Sequence, residues 1–327
     1  MNIVSQMCAI AVMLVIMYFY VSQKKIILHT SRAFVEVWIA GMLSLFFDIF
    51  SLVAIEKRDG YPLTAINIIC KLYLWMVTWV AMVAFWYICV DIFRKKELEC
   101  KWRKRLFIFG SITDILIMSV PIKIYDSDNI VYTYGPAVII TYAVTVTLLA
   151  LILLLTKKYK HAINPQRRKS MQVWVALMFL SAVIQFIDKK ILIVSFASVI
   201  GVLIIFIMLE NPMANIDRDT GFFNLNAFFE YMKEAYGQDK DVSIVCIRYG
   251  GSGNDFFSSE MEKSIFFEVV SFIESLPDNY VFRSSANEYL LVFENTDCAE
   301  KTIGILERRF DKPWGKNNMT MLFGEIY

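Results

Sequence analysis

The sequence predicts a multidomain membrane protein: an all-α bundle of seven transmembrane helices over residues 1–209, then an α+β domain over residues 210–327. Three observations predict it. Of 327 residues, 57% are hydrophobic and 20% charged, and the mean hydropathy of +0.51 is too high for an ordinary soluble pair of domains. The formal net charge of +2 conceals a split, with 22 Lys+Arg against 11 Asp+Glu in residues 1–209 and 11 against 20 in residues 210–327. Seven long apolar runs fall in the first part, and shorter mixed patterns in the second. Together these exclude a disordered chain and a small disulfide-stapled one.

A spanning helix needs ~17–25 mostly apolar residues to cross a hydrocarbon core of ~30 Å. The runs that qualify are 3–21, 33–55, 72–90, 106–122, 136–155, 171–187 and 191–208, the fourth and sixth being the shortest. Buried core helices are also apolar, but seven in succession leave too little polar chain to coat a soluble surface. The first run has no basic leading segment and no small-residue cleavage site, so it reads as a retained helix and not a secretory signal.

Lys and Arg number 16 on the connections after runs one, three and five, and 6 on the alternate connections. The basic side is cytoplasmic. This places the N-terminus outside and the C-terminal domain inside, in a multi-pass membrane protein. The basic loops serve topology and attraction to anionic lipid. Nothing else points to nucleic acid, and the acidic C-terminal domain would oppose it.

Glu36, Asp48 and Asp114 interrupt the apolar runs. Each is costly in lipid and is expected to face the bundle interior or water. Glu36 reads as an interface residue. Asp48 and Asp114 are deeper and are candidate intramembrane sensing residues, with plain interhelical hydrogen bonding as the competing role. Glu36 and Asp48 are about 18 Å apart along one helix and share no site. Pro121, Gly41 and Gly201 give slender support for the broken helices of a transporter. Six scattered cysteines without a CxxC predict no disulfide framework. His29 and His161, in juxtamembrane loops, form no zinc pattern. The C-terminal domain has no histidine, which excludes a Ser-His-Asp hydrolase there.

In that domain, helical spacing over 224–236 ends at Gly237, and 242–249 reads as a buried strand. Glycine-rich 250–253 lacks a Walker lysine and serine or threonine and reads as a flexible connection. A helix over 258–275 has Ser258 or Ser259 as N-cap. Strands at 280–283 and 289–293 flank an SSANE turn, followed by a helix at 297–310 and a strand at 319–327. The order α-β-α-β-β-α-β predicts a sheet with helices on one face, of the ferredoxin-like or nucleotide-cyclase palm type.

The segment IDRDTGFFNLNAF at 216–228 resembles the opening motif of GGDEF domains, D-x-L-T-G-L-x-N-R-x-x-F. Asp217, Thr220, Gly221, Asn224 and Phe228 match, Phe222 is conservative, and Asp219 and Leu225 depart. In VFRSSANEYLLVF at 281–293, Arg283, Glu288 and Tyr289 match, while Ser285, Ala286 and Asn287 replace Gly, Gly and Asp. Asn254 and Asp255 fall at the family's N-D pair. The region 210–327 is thus identified as a degenerate member of the GGDEF, diguanylate cyclase-like family.

The resemblance implies a palm that binds GTP and joins two molecules into cyclic di-GMP across a homodimer, by phosphoryl transfer assisted by Mg2+. The family's metal acids lie at the end of the first strand and in the hairpin. Arg248, or Cys246 on a shift of two, stands at the strand position. Ser285 and Ala286 add side chains where two glycines let the nucleotide approach, Asn287 loses a charge, and Glu288 is the surviving candidate metal ligand. Asn254, Asp255, Arg283 and Glu288 are the candidate nucleotide-binding residues. Leu276 and Asn279 stand where the family's product-inhibition R-x-x-D would be. The expectation is therefore a signalling protein of cyclic di-GMP pathways with no catalytic residues and no cofactor, beyond Mg2+ and GTP if residual binding persists. Its partners are the lipid bilayer and a second copy through the cytoplasmic domain. The alternative is an enzyme. It is either an atypical cyclase or the front of a protein with a following EAL phosphodiesterase, because the domain looks cut before its end. A transporter with a regulatory domain would need a polar pathway through the bundle.

Overall fold

The computed structural model describes residues 3–92, 96–127, 130–161, 163–187, 193–248, 259–277, 279–312, 314 and 324–326. Its chain divides into Met1–Asn211 and Pro212–Tyr327, two residues past the boundary read from charge.

Among the described residues the first unit holds seven helices: α1 (Val4–Ser22), α2 (His29–Glu56), α3 (Leu63–Ile92), α4 (Lys96–Ser119), α5 (Pro136–Lys158), α6 (Pro165–Ile187) and α7 (Val194–Ile205), the last extended by a π-helical turn over Phe206–Glu210. Each apolar run lies on one of them. Five are long and apolar enough to cross a membrane: α1, α2, α3, α5 and the segment Val194–Asn215. The exceptions, α4 and α6, open on Lys96–Arg105 and on Pro165–Lys169, so basic residues expected in loops form their first turns. For the same reason His29 opens α2 instead of lying in a loop, and Lys71 sits within α3.

Polarity is arranged as lipid demands. Phe179, Ile139 and Ile115 are 66–68% exposed, while Asp48, Thr78 and Thr141 are at most 5% exposed. Phe34, Tyr87, Ile152, Trp174 and Ile205 fill the centre. Helices α6 and α7 approach closely at Gly201 of α7, where an added Cβ would lie 1.5 Å from the Trp174 indole of α6. Gly201 is thus a packing glycine, not a helix break. An unexpected hairpin, β1 (Lys123–Ser127) with β2 (Ile130–Tyr134), joins α4 to α5. Gly135, at φ +121°, turns the chain from it into Pro136 at the start of α5.

The second unit runs β3 (Phe223–Asn224), α8 (Leu225–Gly237), β4 (Ser243–Arg248), α9 (Ser259–Glu274), β5 (Tyr280–Ser285), β6 (Glu288–Phe293), α10 (Thr296–Phe310) and β7 (Gly324–Ile326). The sheet order is β3-β5-β6-β4-β7. From β4 onward this is a split β-α-β unit: β6 lies between β4 and β5 and is antiparallel to both, and β7 flanks β4. Asn224 caps α8 by accepting from the Ala227 N–H at 3.0 Å, and Asn295 caps α10 through the Asp297 N–H at 2.9 Å. Ser258 lies outside the described residues, and Ser259 is the first residue of α9.

The helices do not share one face, which corrects the expectation. Val245, Ile247, Val281, Tyr289, Leu291 and Phe293 point to the side where α9 and α10 contribute Ile265, Val269, Ile273, Leu306 and Phe310. The alternate residues Tyr280 and Phe282 meet Phe228 and Tyr231 of α8, at ring separations of 5.3–6.1 Å. The period of two sends each strand's apolar residues to both faces, so both require a helix.

Candidate functional site

The hairpin of the second unit is where the sequence motif falls. Ser285, Ala286 and Asn287 form its exposed tip, and Tyr289 turns into the core, stacking edge-on with Phe222 at 5.9 Å. Glu288 takes the opposite face. There the β4–β6 register sets Arg248 directly across from it and Cys246 across from Leu290. Ser284 Oγ donates to Glu288 Oε1 at 2.6 Å, and Arg248 Nε lies 3.9 Å from Oε2. Both carboxylate oxygens therefore already face a donor. The Arg248 side chain is 80% exposed, so the pair contributes little to stability. Its consequence is electrostatic: a cationic group sits beside the one acid retained from the motif. Burial, then Glu288, push the Cys246 thiol up, with Arg248 opposing.

Arg283 faces the other way and fastens the opening motif to the hairpin. Its Nη1 donates to Asp217 Oδ1 at 2.8 Å and to Asp219 Oδ2 at 2.9 Å, and its Nε donates to the Ser285 carbonyl at 3.2 Å. Asp217 also accepts from the backbone N–H and hydroxyl of Thr220. Burial raises the Asp217 carboxyl, but the bonds from Thr220 and Arg283 outweigh it and hold the group below the usual carboxylate range. A residue expected to meet a nucleotide is thus engaged in internal architecture, and Asp219, a departure from the family pattern, supplies one of its partners. Asn254, Asp255 and the glycine run 250–253 lie outside the described residues.

In the first unit the structure keeps Asp48 and Asp114 in separate networks. Asp48 Oδ2 accepts from Gln6 Nε2 of α1 at 3.2 Å and from Ser195 Oγ of α7 at 2.7 Å. Asp114 Oδ2 accepts from Trp79 Nε1 of α3 at 2.9 Å. Both act as interhelical hydrogen-bond acceptors. Glu36 pairs with Arg103 of α4.

A second polar cluster escaped sequence reasoning. Glu210, 7% exposed, accepts from Tyr87 Oη of α3 at 2.8 Å and Ser31 Oγ of α2 at 3.1 Å, with Arg167 Nη2 of α6 at 3.7 Å. The Arg167 guanidinium, itself buried, lies 4.6 Å from the Tyr87 ring centroid. Glu210 lies just past the last apolar run and reads as the start of the acidic domain. The available signal was a lone acid ending a span with a buried-length arginine at the foot of another.

No family model matches the chain, and no curated protein matches it. The fold and these clusters define a membrane protein with a helical unit and a C-terminal α+β unit.

Proposed function

We propose that the chain is a multi-pass inner-membrane signalling protein whose C-terminal unit is a catalytically degenerate GGDEF-like domain acting by binding or dimerisation, with its helices as sensor and anchor. The observation that carries the reading is the Arg248–Glu288 pair across β4 and β6. Two-metal phosphoryl transfer needs carboxylates to hold cations against the phosphates. Here a guanidinium stands beside the one retained acid, and Asn287 is neutral. The split β-α-β order and the Arg283 clasp between the two motifs support the family resemblance. The test is to incubate the purified full chain in nanodiscs with GTP and Mg2+ or Mn2+. No cyclic di-GMP is expected. Product formation abolished by Glu288→Ala would replace this reading with that of an atypical cyclase.

A further inference from the structure

The helical unit contains a cavity of about 20 Å³ whose polar lining its own helices do not satisfy. Ser44 of α2, Thr145 of α5, Trp174 and Met178 of α6, and Ser195 and Ser198 of α7 face it, with apolar residues of α3 completing the wall. Thr145 Oγ1, Trp174 Nε1 and Ser198 Oγ are buried without a protein hydrogen-bond partner.

This differs from the rest of the unit. Thr113, Thr141, Thr147 and Ser170 donate to the carbonyl four residues upstream, and Ser181 to the one three upstream. That habit is expected where water is excluded, because an unmade bond there costs several kcal/mol. Thr145 and Ser198 sit in similar helices and do not follow it. Both line one space with the Trp174 side chain.

Size and charge define what fits. A water needs roughly 10–15 Å³ of such volume, so the cavity admits one such molecule or little more. The indole only donates, which disfavours a cation. Asp48, whose Oδ2 lies 2.7 Å from the Ser195 hydroxyl, disfavours an anion. We infer that the cavity is a binding site for one small uncharged hydrogen-bonding molecule of the size of water, which accepts from Trp174 and donates to Thr145 and Ser198. Through Ser195 its occupant lies one hydroxyl away from Asp48, and its three partners come from α5, α6 and α7. The inference rests on the helical unit alone and is independent of the reading of the C-terminal domain.

A double-mutant cycle on the full chain in nanodiscs tests it. Thr145→Val and Ser198→Ala are each expected to lower Tm, and the double variant to fall short of the sum, because both remove partners of one shared molecule. If each substitution leaves Tm unchanged or raises it, and the effects add, the hydroxyls border a dry space and the inference fails. If a variant does not fold, X-ray radiolysis of the unmodified chain in water decides. Met178 and Trp174 should be oxidised severalfold faster than Met42, which is 7% exposed against 8% for Met178 but does not line the cavity. Equal labelling of the three would overturn the proposal.

Discussion

Glu210 shows how much one side chain can hold in a bilayer. Its carboxylate draws together α2, α3 and α6 at the π-helical end of the last apolar segment. Removing one member of a buried ion pair costs about 3–5 kcal/mol, because the charge left behind remains desolvated. Glu210→Ala should therefore lower the thermal stability of the helical unit by that order, and Glu210→Gln by less, since the amide oxygen still accepts from one of the Tyr87 and Ser31 hydroxyls. Equal Tm values for the two variants would show that the hydrogen bonds add nothing beyond the charge, which both substitutions remove. In the second unit the charges sit nearer water and titrate accessibly. The Tyr231 hydroxyl, against some burial and with help from Lys240, holds Glu294 below the usual carboxylate range, as Thr220 and Arg283 do for Asp217. Depressed carboxylates contribute stability that is complete above their unfolded values of about 4 and lost as pH falls through the folded ones. Acid unfolding followed by circular dichroism should show the C-terminal unit weakening below about pH 4, and Asp217→Asn should flatten that dependence.

Among the elements, the contact of α6 with α7 is the most constrained. A methyl at Gly201 would overlap the Trp174 ring, a core side chain that cannot yield without moving its neighbours. Gly201→Ala should cost about 1–3 kcal/mol as overpacking, and Gly201→Ala combined with Trp174→Phe should recover part of it, measured as detergent-resistant Tm. How much of this was legible in the sequence depends on whether a feature is local. All seven helices were, because hydropathy over a span is a local sum. Their ends were not: α4 and α6 begin in basic stretches that polarity assigns to loops, although Lys and Arg are good helix formers. The hairpin was legible from its spacing; the caps at Asn224 and Asn295 were not, because a cap is the residue that the helix leaves behind and the helix starts were not fixed. The register that sets Arg248 against Glu288 was not, because strand pairing is decided by residues far apart in the chain. The second face of the sheet was missed because Tyr280 and Phe282 read as parts of one apolar run instead of as alternating positions.

For the whole molecule, the orientation we propose rests on charge that the lipid will not accept. Sixteen Lys and Arg lie in the connections and helix starts on one side of the apolar runs and six on the other. In the structure the larger set includes the basic first turns of α4 and α6, so it survives the finding that these are helical. A basic turn resists translocation whether coiled or extended, since the cost lies in moving the charge across the hydrocarbon. The five most apolar helices alone would keep the parity: the count stays odd whether α4 and α6 both cross or both stay on one side. Either arrangement leaves the chain after α7 on the side opposite the N-terminus, which makes the end of the helical unit the informative place to probe. A reporter fused after residue 215 should be active only in its cytoplasmic form, and one at the N-terminus only in its periplasmic form. A second fusion in the β1–β2 hairpin separates the remaining choices. Periplasmic activity there requires α4 and α5 to cross as a pair, whereas cytoplasmic activity would leave α4 on the inner surface and exclude seven spans. Periplasmic activity after residue 215 would overturn the orientation and, with it, any role for the C-terminal unit in cytoplasmic signalling.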